Sequence, residues 1–108
     1  MTVAQLTQKL PMKVLALPAP DREIEGGYVG DLLSWVMGNA PHGCAWVTIM
    51  TNRNIVAVAQ LLELACIIVA EGCEVPEDVL DLAREQSVNV LSWPRDAFSL
   101  AAQLAQQL

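Results

Sequence analysis

Apolar residues along this chain recur with two periods that keep replacing one another. In residues 1–10, Val3, Leu6 and Leu10 fall at helical spacing behind Thr2, whose hydroxyl can cap a first turn, and Pro11 ends the run. That pattern predicts a short packing helix. Residues 12–17 are mostly apolar and stop at Pro18-Ala19-Pro20, which predicts a strand. A polar crossing holding Asp21, Arg22, Glu23 and Glu25 then delivers the chain to Gly26-Gly27-Tyr28-Val29-Gly30-Asp31. From Val29 the spacing of Leu32, Leu33, Val36 and Met37 predicts a helix entered directly from the glycines and closed by Gly38-Asn39-Ala40-Pro41.

The second half repeats the alternation. Residues 45–50 predict a strand, residues 51–54 a strand-to-helix turn with capping side chains, and residues 54–64 a helix apolar nearly all round, interrupted mainly by Gln60 and Glu63. Such a helix must be covered on more than one side. Residues 65–70 are a continuous apolar run of the length of a central parallel strand. Beyond the loop at 71–75, Pro76-Glu77-Asp78 opens a helix, with proline in its first turn and two acids at the positive end of its dipole. Residues 88–91 predict a short last strand. A final helix starts at Pro94, with Phe98, Ala101, Ala105 and Leu108 expected inward.

Alternating strand and helix periods joined by short connections predict an α/β fold. We expect one three-layer α/β/α domain over residues 1–108, with a mostly parallel or mixed sheet of about four to five strands. Ligands of such sheets sit outside the carboxyl ends of the strands. Residues 21–31, 51–54, 71–72 and 92–93 are expected to converge there.

Composition changes this picture in three ways. Hydrophobic residues make up 54% of the 108 positions, above the usual 45–50% or so, so part of the surplus is expected in an interface. The net charge is −6, with lysine only at Lys9 and Lys13, so the basic footprint of a nucleic-acid or anionic-membrane binder is missing. Cys44, Cys66 and Cys73 are odd in number and lack a paired spacing, as suits free thiols in a reducing compartment. No apolar run approaches the roughly 18 residues of a membrane span, and the first residues do not read as a signal peptide. The expected address is the cytoplasm.

Candidate catalytic chemistry is sparse. The glycine cluster leads to Asp31 where a phosphate-binding loop needs lysine, and no dinucleotide-binding fingerprint is present. His42 lies in a Pro-His-Gly turn and makes a poor zinc set with the scattered cysteines, so no metal or cofactor is expected. Trp35, Trp46 and Trp93 read as core or interface aromatics. What remains is a binding set. Gly26, Gly27 and Gly30 and the turn Thr51-Asn52-Arg53-Asn54 are expected to line the site of a small anionic or nucleotide-like metabolite, held by the backbone N–H groups of residues 27–31 and 53–55, since helix starts concentrate partial positive charge. Arg53 adds a formal charge and Tyr28 a cover, with Glu71 and Gly72 at the same rim. Asp31 opposes an anion and favours a hydroxyl or a cationic group. A second expectation is a homodimer formed through the apolar helix at 54–64.

The residues also carry a resemblance. Asp21-Arg22-Glu23-Ile24 followed by Gly-Gly-Tyr-Val-Gly-Asp-Leu-Leu-Ser, then the stretches at 51–59 and 65–72, resemble the DRTGG domain family over essentially the whole chain. The chain is similar to stand-alone members and, more distantly, to the N-terminal domain of HPr kinase/phosphorylase. The name-giving pattern is altered here, because Glu23-Ile24 follows Asp21-Arg22 and the glycine pair comes at Gly26-Gly27. The resemblance implies an α/β/α fold and a non-catalytic regulatory or ligand-sensing role. It also implies a setting in anaerobic redox metabolism near iron-only hydrogenases, with a redox-enzyme partner as the alternative to a small ligand. Nothing of the HPr kinase catalytic domain is present, so no phosphotransfer activity is expected.

Overall fold

The computed structural model describes residues 1–108. In chain order its elements are α1 (Val3–Lys9), β1 (Lys13–Ala16), β2 (Gly27–Val29), α2 (Leu33–Asn39), β3 (Ala45–Thr48), α3 (Asn54–Leu61), β4 (Cys66–Val69), α4 (Glu77–Glu85), β5 (Val90–Ser92) and α5 (Ala97–Gln107). The five strands form one sheet in the order β1-β5-β4-β3-β2. β2 to β5 run parallel, and β1 lies antiparallel against β5 with a register shift between Val14 and Ala16. The sheet is therefore mixed.

Strand alternation sorts the core into two layers. Trp46, Ile67, Val69 and Val90 pack with α2, α3 and α4, whereas Ala45, Val47, Cys66, Ile68 and Leu91 pack with α1 and α5. Three successive parallel connections of one hand place α2, α3 and α4 on a single face, as the right-handed crossover rule requires. The expected three-layer α/β/α architecture is thus the observed one.

Local chemistry explains the element ends. Thr2 caps α1 in a reciprocal capping box with Gln5, and Asp96 caps α5 through the Ser99 N–H. That backbone hydrogen bond holds the Asp96 carboxyl below its ordinary range. Glu63 and Ser87 take left-handed φ angles of 51° and 57° after α3 and α4. Leu64 then donates to Ala59 O and Val88 to Ala83 O, which closes both helices without glycine.

Four expectations are corrected. The glycine stretch is not a helix entry: Gly27–Val29 is the edge strand β2, and α2 starts only at Leu33. Residues 21–25 do not reach the carboxyl rim. Because β1 runs antiparallel, its exit at Ala16 lies beside Val90 at the amino end of β5, and the chain crosses the sheet at that end. There Asn89 bonds to both the N–H and the C=O of Ala19. The apolar helix α3 is not open on two sides, since Ile55, Val56, Val58 and Ala59 are buried against α2, α4 and the sheet, and Leu61 alone of its large apolar side chains is exposed. Finally, α5 turns Leu100 and Leu104 inward, while Phe98 is 84% exposed and Leu108 also faces out.

Candidate functional site

The carboxyl ends of the parallel strands form a rim. β2 leads to Gly30 and Asp31, β3 to residues 49–53, β4 to Ala70 and Glu71, and β5 to Trp93. Several groups on this rim are already engaged. The Asp31 carboxylate accepts from Thr48 Oγ1 at 2.8 Å and from Ile49 N at 2.9 Å, which ties the end of β2 to the end of β3. Gly30 O accepts from the buried indole of Trp46 at 2.9 Å. A Cβ on Gly30 would meet Tyr28 Cε2 at 3.2 Å and Val36 Cγ2 at 3.3 Å, so close packing explains this glycine. Asn52 Oδ1 accepts from Asn54 N, forming a turn before α3. The Arg53 guanidinium reaches Asp78 at the start of α4, at 3.4 Å.

Between β4 and β5 the connections diverge, because α4 returns on one face of the sheet and α5 on the other. That divergence is the topological switch point at which α/β sheets bind ligands. Here the two loops are stitched together. Glu71 N donates to Arg95 O at 2.7 Å and Gly72 N to Trp93 O at 3.0 Å. Glu71 and Gly72 have φ of 64° and 65°, and Cys73 N returns to Ala70 O, as in a type I′ turn. The Glu71 carboxylate accepts from Ala97 N at 2.7 Å, so it serves the start of α5. The Arg95 guanidinium lies 5.2 Å from the ring centre of Trp93. Trp93 itself is fully buried, and its indole N–H meets no acceptor.

Beside the switch point opens a polar cleft of about 390 Å³. Gly72, Cys73 and Glu74 line one wall, Lys13 and Ser92 the other, and Glu77 of α4 the mouth. Lys13 and Ser92 stand opposite one another in the β1–β5 register. The volume falls within the roughly 300–1,000 Å³ of small-molecule sites. A second groove, between β2 and α5, is smaller at about 220 Å³ and almost wholly apolar.

The structure therefore separates the expected site residues. Gly30, Asp31, Thr51, Asn52, Arg53, Asn54, Glu71 and Gly72 belong to the carboxyl rim, while Gly26 and Gly27 lie at the opposite end of β2 and line the apolar groove. Tyr28 packs against the α2 layer. Lys13 joins them unannounced by the sequence, because its place at the rim depends on β1 inserting antiparallel beside β5, and no local signal marks that pairing.

The three thiols have different environments. Cys44 and Cys66 are fully buried, and burial pushes their pKa values from 9.0 up to about 11 and about 12. Cys73 is half-buried at the cleft. Folded-state values above the unfolded one mean that this stabilisation is complete below pH 9.0 and is lost as the pH rises through 11 and 12. Native protein treated with a thiol reagent at mildly alkaline pH is expected to be modified at Cys73 alone. Melting midpoints are expected to fall on the alkaline side as these two thiols ionise in the unfolded chain, and on the acid side as Asp96 loses its charge. Intact-mass analysis showing rapid loss of Cys44 or Cys66 would contradict this account.

No three His, Cys, Asp or Glu side chains gather in a group that could hold a metal ion. No helix is long and apolar enough to cross a membrane. The sequence profile of the DRTGG domain matches residues 41–107. The chain belongs to the DRTGG domain family. Its fold is also that of a crystal structure of the CBS and DRTGG domains of the regulatory region of Clostridium perfringens pyrophosphatase, complexed with the activator diadenosine tetraphosphate. This domain superposes on it with a TM-score of 0.68 and 16% identity, over 95% of this chain and 45% of that one. The likeness carries the fold, and the chain spans less than half the length of that structure. Comparison with curated proteins yields no match.

Proposed function

We propose that this DRTGG domain is a regulatory module without catalytic chemistry of its own, which binds a small anionic, nucleotide-like metabolite at the carboxyl rim of its sheet. The observation that carries this reading is the polar cleft beside the β4–β5 switch point, with Lys13 on one wall and the positive-φ Gly72 on the other. Lys13 supplies the charge for a phosphate or carboxylate. Ser92, Glu74 and Glu77 suit hydroxyl and amino groups of the same ligand, so a molecule with both kinds of group fits better than a bare anion. Arg53 and the turn at 51–54 form a second cationic point along the rim. The regulatory setting of the structural neighbour supports the same reading.

Isothermal titration of AMP, ATP, diadenosine tetraphosphate and acetyl phosphate tests it. Lys13→Ala is expected to weaken binding by about tenfold or more, the loss of one charge-assisted hydrogen bond of about 1.5–3 kcal/mol. Arg53→Ala is expected to act less, because its guanidinium is already shared with Asp78. Heats unchanged by Lys13→Ala would move the ligand away from the cleft.

A second reading, an interaction subunit that self-associates or docks on a redox enzyme, rests on α2. That helix contains no charged residue, yet Trp35 is 61% exposed, with Leu32 and Met37 also exposed beside it. Exposed tryptophan and methionine without charge are the composition of interface cores.

A further inference from the structure

We infer that β2 is a self-pairing edge: a second copy of this chain docks antiparallel on Gly27–Val29, about a two-fold axis through Tyr28, and extends the sheet. The inference deepens the interaction reading above and is independent of the ligand cleft.

The two edges of the sheet are treated differently. β1 begins with Lys13, carries a bulge between Val14 and Ala16, and lies between Pro11 and Pro18. Lysine, bulges and proline are the devices that stop an edge from pairing. β2 has none of these three, and shortness, at three residues, is its one protection. Ala45 N donates to Gly26 O and Gly30 N donates to Val47 O, so by strand alternation the N–H and C=O groups of Gly27 and Val29 point outward. In the two-fold register Gly27 faces the partner's Val29, Val29 faces the partner's Gly27, and each pair exchanges both backbone hydrogen bonds.

Shape and charge select a second copy. Gly27 and Val29 lie on the α5 side of the sheet, where they form the apolar groove with Leu104, Ala105 and Leu108. Val29 is 52% exposed, and a side chain standing opposite the bare Gly27 has this groove to fill. The acids flanking the strand are exposed but held toward β3 and away from the edge: Asp31 bonds to Thr48 and Ile49, and the Glu25 carboxylate lies over Gly43. The edge between them carries no charge, so an identical edge meets it without an unpaired ion. A standard interface takes about 800 Å² per partner, roughly one-seventh of the 5422 Å² surface. A two-fold axis normal to the sheet keeps α2 beside the partner's α2 and α5 beside the partner's α5, so exposed Trp35 and Leu108 add to the buried area.

Sedimentation and amide exchange of the whole chain test the inference. The wild type is expected to be dimeric at roughly 10 µM, with the Gly27 and Val29 amides protected and that protection falling on dilution. In the free chain a Cβ on Gly27 makes only ordinary contact, 3.4 Å from Leu104 Cδ2, yet it occupies the space facing the partner's Val29. Gly27→Ala is therefore expected to keep the fold by circular dichroism and to weaken the dimer about tenfold, and Val29→Lys to abolish it. A monomer at high concentration overturns the inference and leaves the Lys13 reading standing. A dimer indifferent to both variants, with freely exchanging β2 amides, overturns it equally. The wild-type exchange measurement decides even if a variant misfolds.

Discussion

Asn89→Ala is expected to lower the free energy of unfolding by about 3–5 kcal/mol, because one fully buried amide serves three backbone groups. Its Oδ1 accepts from Ala19 N at 2.9 Å, and its Nδ2 donates to Ala19 O at 2.7 Å and Ala65 O at 2.9 Å. These bonds fasten the crossing loop to the amino ends of β4 and β5. Alanine removes all three, and Ala65 O has no route to water. Asn89→Asp is expected to be no milder, since a carboxylate keeps the bond from Ala19 N but turns an acceptor toward two carbonyls and brings a charge into a site with 0% exposure. Urea denaturation monitored by tryptophan fluorescence checks both variants. A loss below about 1 kcal/mol for Asn89→Ala would show that the loop is held by other means.

Trp46→Ala carries the second large effect, also about 3–5 kcal/mol, a substantial part of the roughly 5–15 kcal/mol that holds a domain of this kind folded. Trp46 is fully buried in the layer under α2 and α3. It fills the largest side-chain volume there, and its indole N–H is the donor for Gly30 O. Truncation therefore opens a cavity and releases the end of β2 in one step. Trp46→Phe separates the two contributions: it keeps most of the ring volume and leaves Gly30 O without its donor, an expected cost of about 1–3 kcal/mol. Amide exchange should then rise around residues 30–31 in the phenylalanine variant, ahead of the global unfolding seen with alanine. Equal protection there in both variants would remove Gly30 from the role assigned to it.

Much of the layered order is legible in the sequence alone. Thr2 with Gln5 marks the start of α1, Pro76 followed by two acids marks the start of α4, and the unbroken apolar run at 65–70 is β4 at the centre of the sheet. Each is a local signal, because capping, proline geometry and double-sided burial act over a few neighbouring residues. The family resemblance is legible for the same reason: the stretches at 51–59 and 65–72 are each local and fall inside the matched residues 41–107, whereas the glycine stretch at 26–34 lies outside them.

The site and the surfaces were decided by partners distant in sequence. Gly27–Val29 is a strand because Ala45–Val47 offers it a ladder, and not through any preference of two glycines for extended structure. Lys13 reaches the cleft because β1 pairs antiparallel with a strand some eighty positions further on. The same antiparallel choice sends residues 21–25 to the amino end, where Asn89 holds the loop. α3 reads as sticky in isolation, yet α2, α4 and the sheet bury most of its apolar side chains. The most exposed large apolar side chains, Phe98, Leu32, Leu61 and Trp35, fall at the start of α5, on and just before α2 and at the end of α3, with Val29 of β2 next. Hydrophobic periodicity reports that a face is buried. Which element buries it, and which edge is left open, is settled only when the chain closes on itself.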